Sequence, residues 1–79
     1  MSNHFETRLL KALSQGFKDT KSVREYCMKQ CKKNYSESKV HDYQCICEYL
    51  CYRIEHNVRI TFSEYQQIMF NELNNKNKE

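Results

Sequence analysis

Five cysteines in two short bursts carry most of the chemistry open to this chain: "CMKQC" from Cys27 to Cys31 and "CICEYLC" from Cys45 to Cys51. Cys27 and Cys31 stand four apart, as do Cys47 and Cys51, and fifteen residues separate the two pairs. Thiols so placed can shuttle electrons, bind a metal or form disulfides. Shuttling pairs are usually CxxC at a helix start, where the thiol pKa is lowered, whereas Cys27 falls deep inside a helical pattern. Zn²⁺ could take Cys27, Cys31, His41 and Cys45 as four ligands, but that set leaves Cys47 and Cys51 without a role. Bridging within one helical CxxxC is disfavoured, because Cβ atoms four apart lie ~5–6 Å from each other and a disulfide wants ~3.8 Å. Bridges must therefore cross between helices. Cys45 is two residues from Cys47, roughly 200° round a helix, and is expected as a free thiol on the outer face near Tyr49 and Tyr52.

The elements that would position these thiols follow from composition and periodicity. Seventy-nine residues make one small domain, 1–79, with little core of its own: Leu, Ile, Val and Phe number 16, so a staple or a partner is needed. With no proline and a single glycine, Gly16, the punctuation of hairpins and sandwiches is missing. The fold class expected is all-α. A stripe through Phe5, Leu9, Leu13, Phe17, Val23, Cys27 and Cys31 predicts a first helix over about 4–33, in which Gly16 costs roughly 1 kcal/mol and marks a bend. The turn-forming "NYSESKVHD" predicts a loop over about 34–41. A second stripe from Tyr43 through Leu73 predicts a helix over about 42–74, with Ser38 or Asp42 as its cap.

Two such helices make an antiparallel hairpin, in which facing residues keep a constant index sum. Cys27 with Cys51 and Cys31 with Cys47 share the sum 78, which centres the turn on Lys39. Of the three possible pairings, hairpin geometry selects this nested set, and closing the inner loop contributes about 3 kcal/mol by chain entropy. Carried outward, the sum sets Phe17 near Thr61 and Phe62, Leu13 near Tyr65, and Leu9 and Leu10 near Met69 and Ile68. Leu10, Ile46, Ile60 and Phe70 are left as apolar residues in need of a neighbour.

Other functions find little support. No nucleophile with its base, no acid pair and no phosphate loop is present, so no enzyme and no cofactor are expected, and His4, His41 and His56 read as ordinary solvated histidines. Thirteen Lys and Arg are spread along the chain, which does not make a nucleic-acid footprint. No run reaches the ~20 apolar residues of a membrane span, and the opening "MSNHFETRLLKALSQGFKD" lacks the apolar region of a secretory signal and the acid-poor character of a mitochondrial presequence. It reads as mature protein, which also removes a secreted hairpin toxin from consideration.

The segment "YCMKQCKKNYSESKVHDYQCICEYLC" resembles the small Tim proteins, chaperones of the mitochondrial intermembrane space marked by twin CxxxC motifs on two helices around a loop. The likeness covers roughly residues 26 to 55. It implies disulfides Cys27–Cys51 and Cys31–Cys47 and assembly with related small Tim subunits into a hexameric α-propeller ring. It further implies ATP-independent escort of hydrophobic membrane-protein precursors, peripheral to the inner membrane, with Phe5, Leu9, Leu13 and Phe17 as the client-binding stripe. Import would resemble that family's route, in which an intermembrane-space oxidoreductase traps the chain by oxidation. The aromatic second helix, with Tyr49, Tyr52, Phe62, Tyr65 and Phe70, keeps an alternative open: a small-Tim-like accessory subunit docked permanently on an inner-membrane respiratory or translocase complex.

Overall fold

In the computed structural model, which describes residues 4–33 and 35–77, the chain is all-helical: α1 (His4–Leu13), α2 (Thr20–Lys32), α3 (Glu37–His56) and α4 (Phe62–Asn77). The ends of the expected 1–79 domain and Asn34 in its loop lie outside the described residues.

Each of the two long helices expected from periodicity is divided in two, and local backbone chemistry explains both breaks. The first falls where a bend was expected. Gly16 adopts φ +68°, a left-handed conformation that glycine enters without steric cost, and Asp19 then restarts the helix by accepting a 2.7 Å hydrogen bond from the Ser22 amide. That bond holds the Asp19 carboxyl below its ordinary pKa, as expected for a charged N-cap. The second break follows α3. Asn57 is left-handed at φ 52°, and the Val58 amide reaches back 3.0 Å to the Arg53 carbonyl, a Schellman-type closure. Thr61 and Glu64 then form a reciprocal capping box for α4: the Glu64 amide donates to Thr61 Oγ1 at 3.1 Å, and the Thr61 amide donates to Glu64 Oε1 at 2.9 Å.

The loop is also shorter than expected, because α3 begins at Glu37 rather than near Asp42. Ser36 is the cap, accepting from the Lys39 amide at 3.2 Å, and Ser38 sits in the first turn. The Lys39 ammonium donates to the Lys33 carbonyl and ties the connection to the end of α2.

α3 is the central element, packed by α2 along one side and by α1 on another. It contributes Tyr43, Ile46, Tyr49, Leu50 and Cys51 to the core, to which α2 adds Val23 and Cys27 and α1 adds Ala12. Ile46, expected to need an outside neighbour, is fully buried, and Tyr49, expected on an outer face, is 2% exposed. Instead of continuing as an arm, α1 packs back along α3, and the first turns of α4 meet Tyr49 and Tyr52 through Phe62 and Tyr65. Phe5 lies on Phe62, ring centroids 4.9 Å apart, and Phe17 lies on Tyr26 at 5.2 Å. The register expected for the arms, with Phe17 beside Thr61 and Phe62, is not adopted. Arg8 fixes α1 against α3 through a 2.6 Å ion pair with Asp42. No helix among the described residues is long and apolar enough to cross a membrane.

Candidate thiol cluster and apolar groove

The packing of α2 on α3 brings the four motif cysteines together. Cys27 points from α2 into the core, Cys51 is buried on α3, and Cys31 and Cys47 are half-buried. Cys47 lies close enough to Cys27 and to Cys51 to act on the ionisation of both, and Cys31 and Cys51 act on that of Cys27. All four are thiols in this structure, as is Cys45. Burial, reinforced by Cys47, pushes the Cys27 thiol up to about 12 and the Cys51 thiol to about 11. These values run opposite to the depressed pKa of an exchange-active cysteine. Protonated and enclosed, Cys27 and Cys51 are weak nucleophiles in the folded thiol form.

Cys45 stands apart from that cluster, half-buried on another side of α3, with its sulfur 3.9 Å from Nε2 of His41 one turn earlier. The expected outer face is not open, however. The first turns of α4 cover it, and Cys45 lines a groove with Tyr65, Met69 and Phe70. Burial, then the carboxylates of Glu48 and Asp42, raise its pKa. The rival metal set Cys27, Cys31, His41 and Cys45 is divided between these two sides of α3. Among the described residues, no group of three or more His, Cys, Asp or Glu side chains is placed to hold a metal ion.

The expected client stripe is dispersed by the fold-back of α1. Phe5 is occupied by Phe62, and Leu9 packs on the core. Leu13 and Phe17 pack on the core as well, and they also line a groove of about 610 Å³ with Leu50, Ile54 and Val58, where the α1–α2 corner meets the end of α3.

No protein-family model matches the chain, and no curated protein or solved structure gives a significant match.

A second feature missed by periodicity is the aromatic joint between α3 and α4. Tyr49 meets Phe62 at 5.3 Å and Tyr65 at 5.5 Å, and Tyr52 meets Tyr65 at 5.3 Å, all edge-on. Arg53 lies over the Tyr49 ring at 5.4 Å. Edge-to-face pairs of this kind are worth about 0.5–1.5 kcal/mol each beyond their burial. The sequence signal was Tyr49, Tyr52 and Tyr65 at helical spacing, which reads equally well as an exposed docking face.

Proposed function

We propose that the chain is a subunit of an ATP-independent chaperone of the mitochondrial intermembrane space, similar to the small Tim proteins, that escorts hydrophobic membrane-protein precursors during import. The observation that carries this reading is the meeting of the two CxxxC motifs in one cluster between α2 and α3. In the imported protein, Cys27 pairs with Cys51 and Cys31 with Cys47, making a stapled helical hairpin. Each bond forms as two thiols lose two electrons and two protons, reducing one disulfide of an intermembrane-space oxidoreductase. Cys45 stays a thiol. Stapled hairpins then join related subunits in an α-propeller ring, for which the exposed Leu10, Met28, Phe70 and Leu73 offer apolar contact surface. Leu13 and Phe17 are the residues of the stripe best placed to take a client.

The test is aggregation of a transmembrane-segment peptide in the presence of the oxidised protein mixed with a second twin-CxxxC subunit and no nucleotide. The wild type should suppress aggregation, and a Leu13→Ser/Phe17→Ser variant with both disulfides intact should not. Equal suppression by the variant, or none by the wild type, overturns the reading.

One observation favours a second reading, the docked accessory subunit: Phe70 and Leu73 are 59% and 60% exposed on α4, as a permanent interface with another protein would use them. That reading predicts co-purification in fixed ratio with an inner-membrane complex in mild detergent.

A further inference from the structure

The groove between the α1–α2 corner and the end of α3 carries charge of one sign. Leu13, Phe17, Leu50, Ile54 and Val58 give its lining an apolar part, and three cations share that lining: Lys18, Arg53 and Arg59. Among the described residues, no Asp or Glu lines it. Arg53 is partly committed, lying over the Tyr49 ring and donating to its hydroxyl at 3.4 Å. Lys18 and Arg59 are exposed.

We infer that this groove selects apolar polypeptide segments flanked by acidic side chains. The inference rests on the client-holding reading and adds a charge preference to it. An apolar lining alone would accept any hydrophobic segment, since burial in it is non-directional. The cations discriminate: an acidic flank gains attraction from them, and a basic flank meets like charge. A polypeptide is favoured over a lipid anion because the three cations come from three separate segments, before α2, in the last turn of α3 and in the α3–α4 connection. A single headgroup answers one such point, whereas a chain with acids at both ends answers several.

The experiment uses the full chain and two labelled peptides of identical apolar core, one with Glu flanks and one with Lys flanks, titrated by fluorescence anisotropy. At low salt the Glu-flanked peptide should bind about tenfold more tightly, the sum of several exposed ion pairs, and the difference should collapse at about 0.5 M salt. A Lys18→Glu/Arg59→Glu variant should reverse the preference while keeping the wild-type circular dichroism. Equal binding of the two peptides by the wild type overturns the inference and leaves the chaperone reading standing. Binding of neither overturns both. A charge-reversed protein that still prefers the Glu flanks also overturns it, and should that variant lose helix, the salt dependence of the wild type decides alone. Displacement of the Glu-flanked peptide by oleate, with the Glu and Lys peptides indistinguishable, assigns the groove to a lipid anion and overturns it too.

Discussion

The hydroxyl of Tyr49 donates a 2.5 Å hydrogen bond to the carbonyl of Ile60, joining the middle of α3 to the connection that leads into α4. Tyr49 is almost fully buried, so this bond satisfies two groups at once: a phenol shut away from water and a loop carbonyl without a helical partner. It is the polar anchor of an otherwise aromatic joint.

Tyr49→Phe keeps the ring contacts and removes that bond together with the longer one, 3.4 Å, that the hydroxyl accepts from Arg53. We expect a loss of about 1–2 kcal/mol, the cost of a lost partner for a part-buried carbonyl, seen as a lower urea midpoint. Amide exchange should quicken in α4 before it does in α2. An unchanged midpoint would show that water replaces the phenol without penalty.

Asn57→Ala keeps a β-carbon in the left-handed conformation at the end of α3 but loses the carboxamide that makes that conformation tolerable, and should cost about 1 kcal/mol. Asn57→Gly should be neutral or slightly stabilising. Thermal unfolding of the two variants side by side separates backbone strain from side-chain contacts, and equal melting temperatures would remove the Schellman closure as the cause of the second break.

The buried thiols give the reduced protein an alkaline limit. Cys27 and Cys51 are raised from an ordinary value of 9.0 to about 12 and about 11, chiefly by burial. The unfolded chain therefore releases these protons first as pH rises. Their contribution to stability is complete below pH 9, declines above it and is gone once pH passes about 12. Tyr26, Tyr43 and Tyr65 are raised by burial too and act in the same direction above pH 10. Urea midpoints of the reduced protein should fall steadily above pH 9, and the fall should be shallower once the motif cysteines are oxidised. Identical profiles in both states would mean that these thiols carry no part of the linkage.

Intact mass after oxidation and alkylation counts the bridges. The expected product has lost four protons and carries one alkyl group, at Cys45, and peptide mapping should return Cys27–Cys51 and Cys31–Cys47. Recovery of Cys27–Cys47 would show that Cys27 oxidises with the thiol that acts most on its ionisation in the reduced form.

Much of the fold was legible in local sequence. The helical stripes, the meeting of the two CxxxC motifs and the bend at Gly16 follow from spacing and from one permissive backbone position. Asp19, Ser36 and the Thr61-x-x-Glu64 box were readable as helix starts as well, but a continuous apolar stripe runs through the breaks they mark. Periodicity therefore favoured two long helices over four shorter ones. The return of the first turns of α4 over Cys45, and with it the enclosure of Tyr49, was not legible, because it depends on contacts between Tyr49, Phe62 and Tyr65 that no spacing rule distinguishes from an exposed aromatic face. The fold-back of α1 was not legible either: Phe5, Leu9, Leu13 and Phe17, expected as one open stripe, all pack on the core, and Leu13 and Phe17 also line a groove.

Because the chain has no tryptophan, its ultraviolet emission is that of its six tyrosines, undrained by energy transfer to an indole. Tyr26, Tyr43, Tyr49, Tyr52 and Tyr65 all sit in ring contacts, and Tyr35 is 74% exposed. Tyr35 therefore supplies a solvent-like baseline within the same spectrum. The other five form two optical groups, Tyr26 with Tyr43 beside the thiol cluster and Tyr49, Tyr52 and Tyr65 at the α3–α4 joint. A sulfur bridge quenches nearby phenols, so closing the bridges dims the first group, and loosening α4 changes the near-ultraviolet dichroism of the second. The molecule carries its own unlabelled reporters of oxidation and of helix docking.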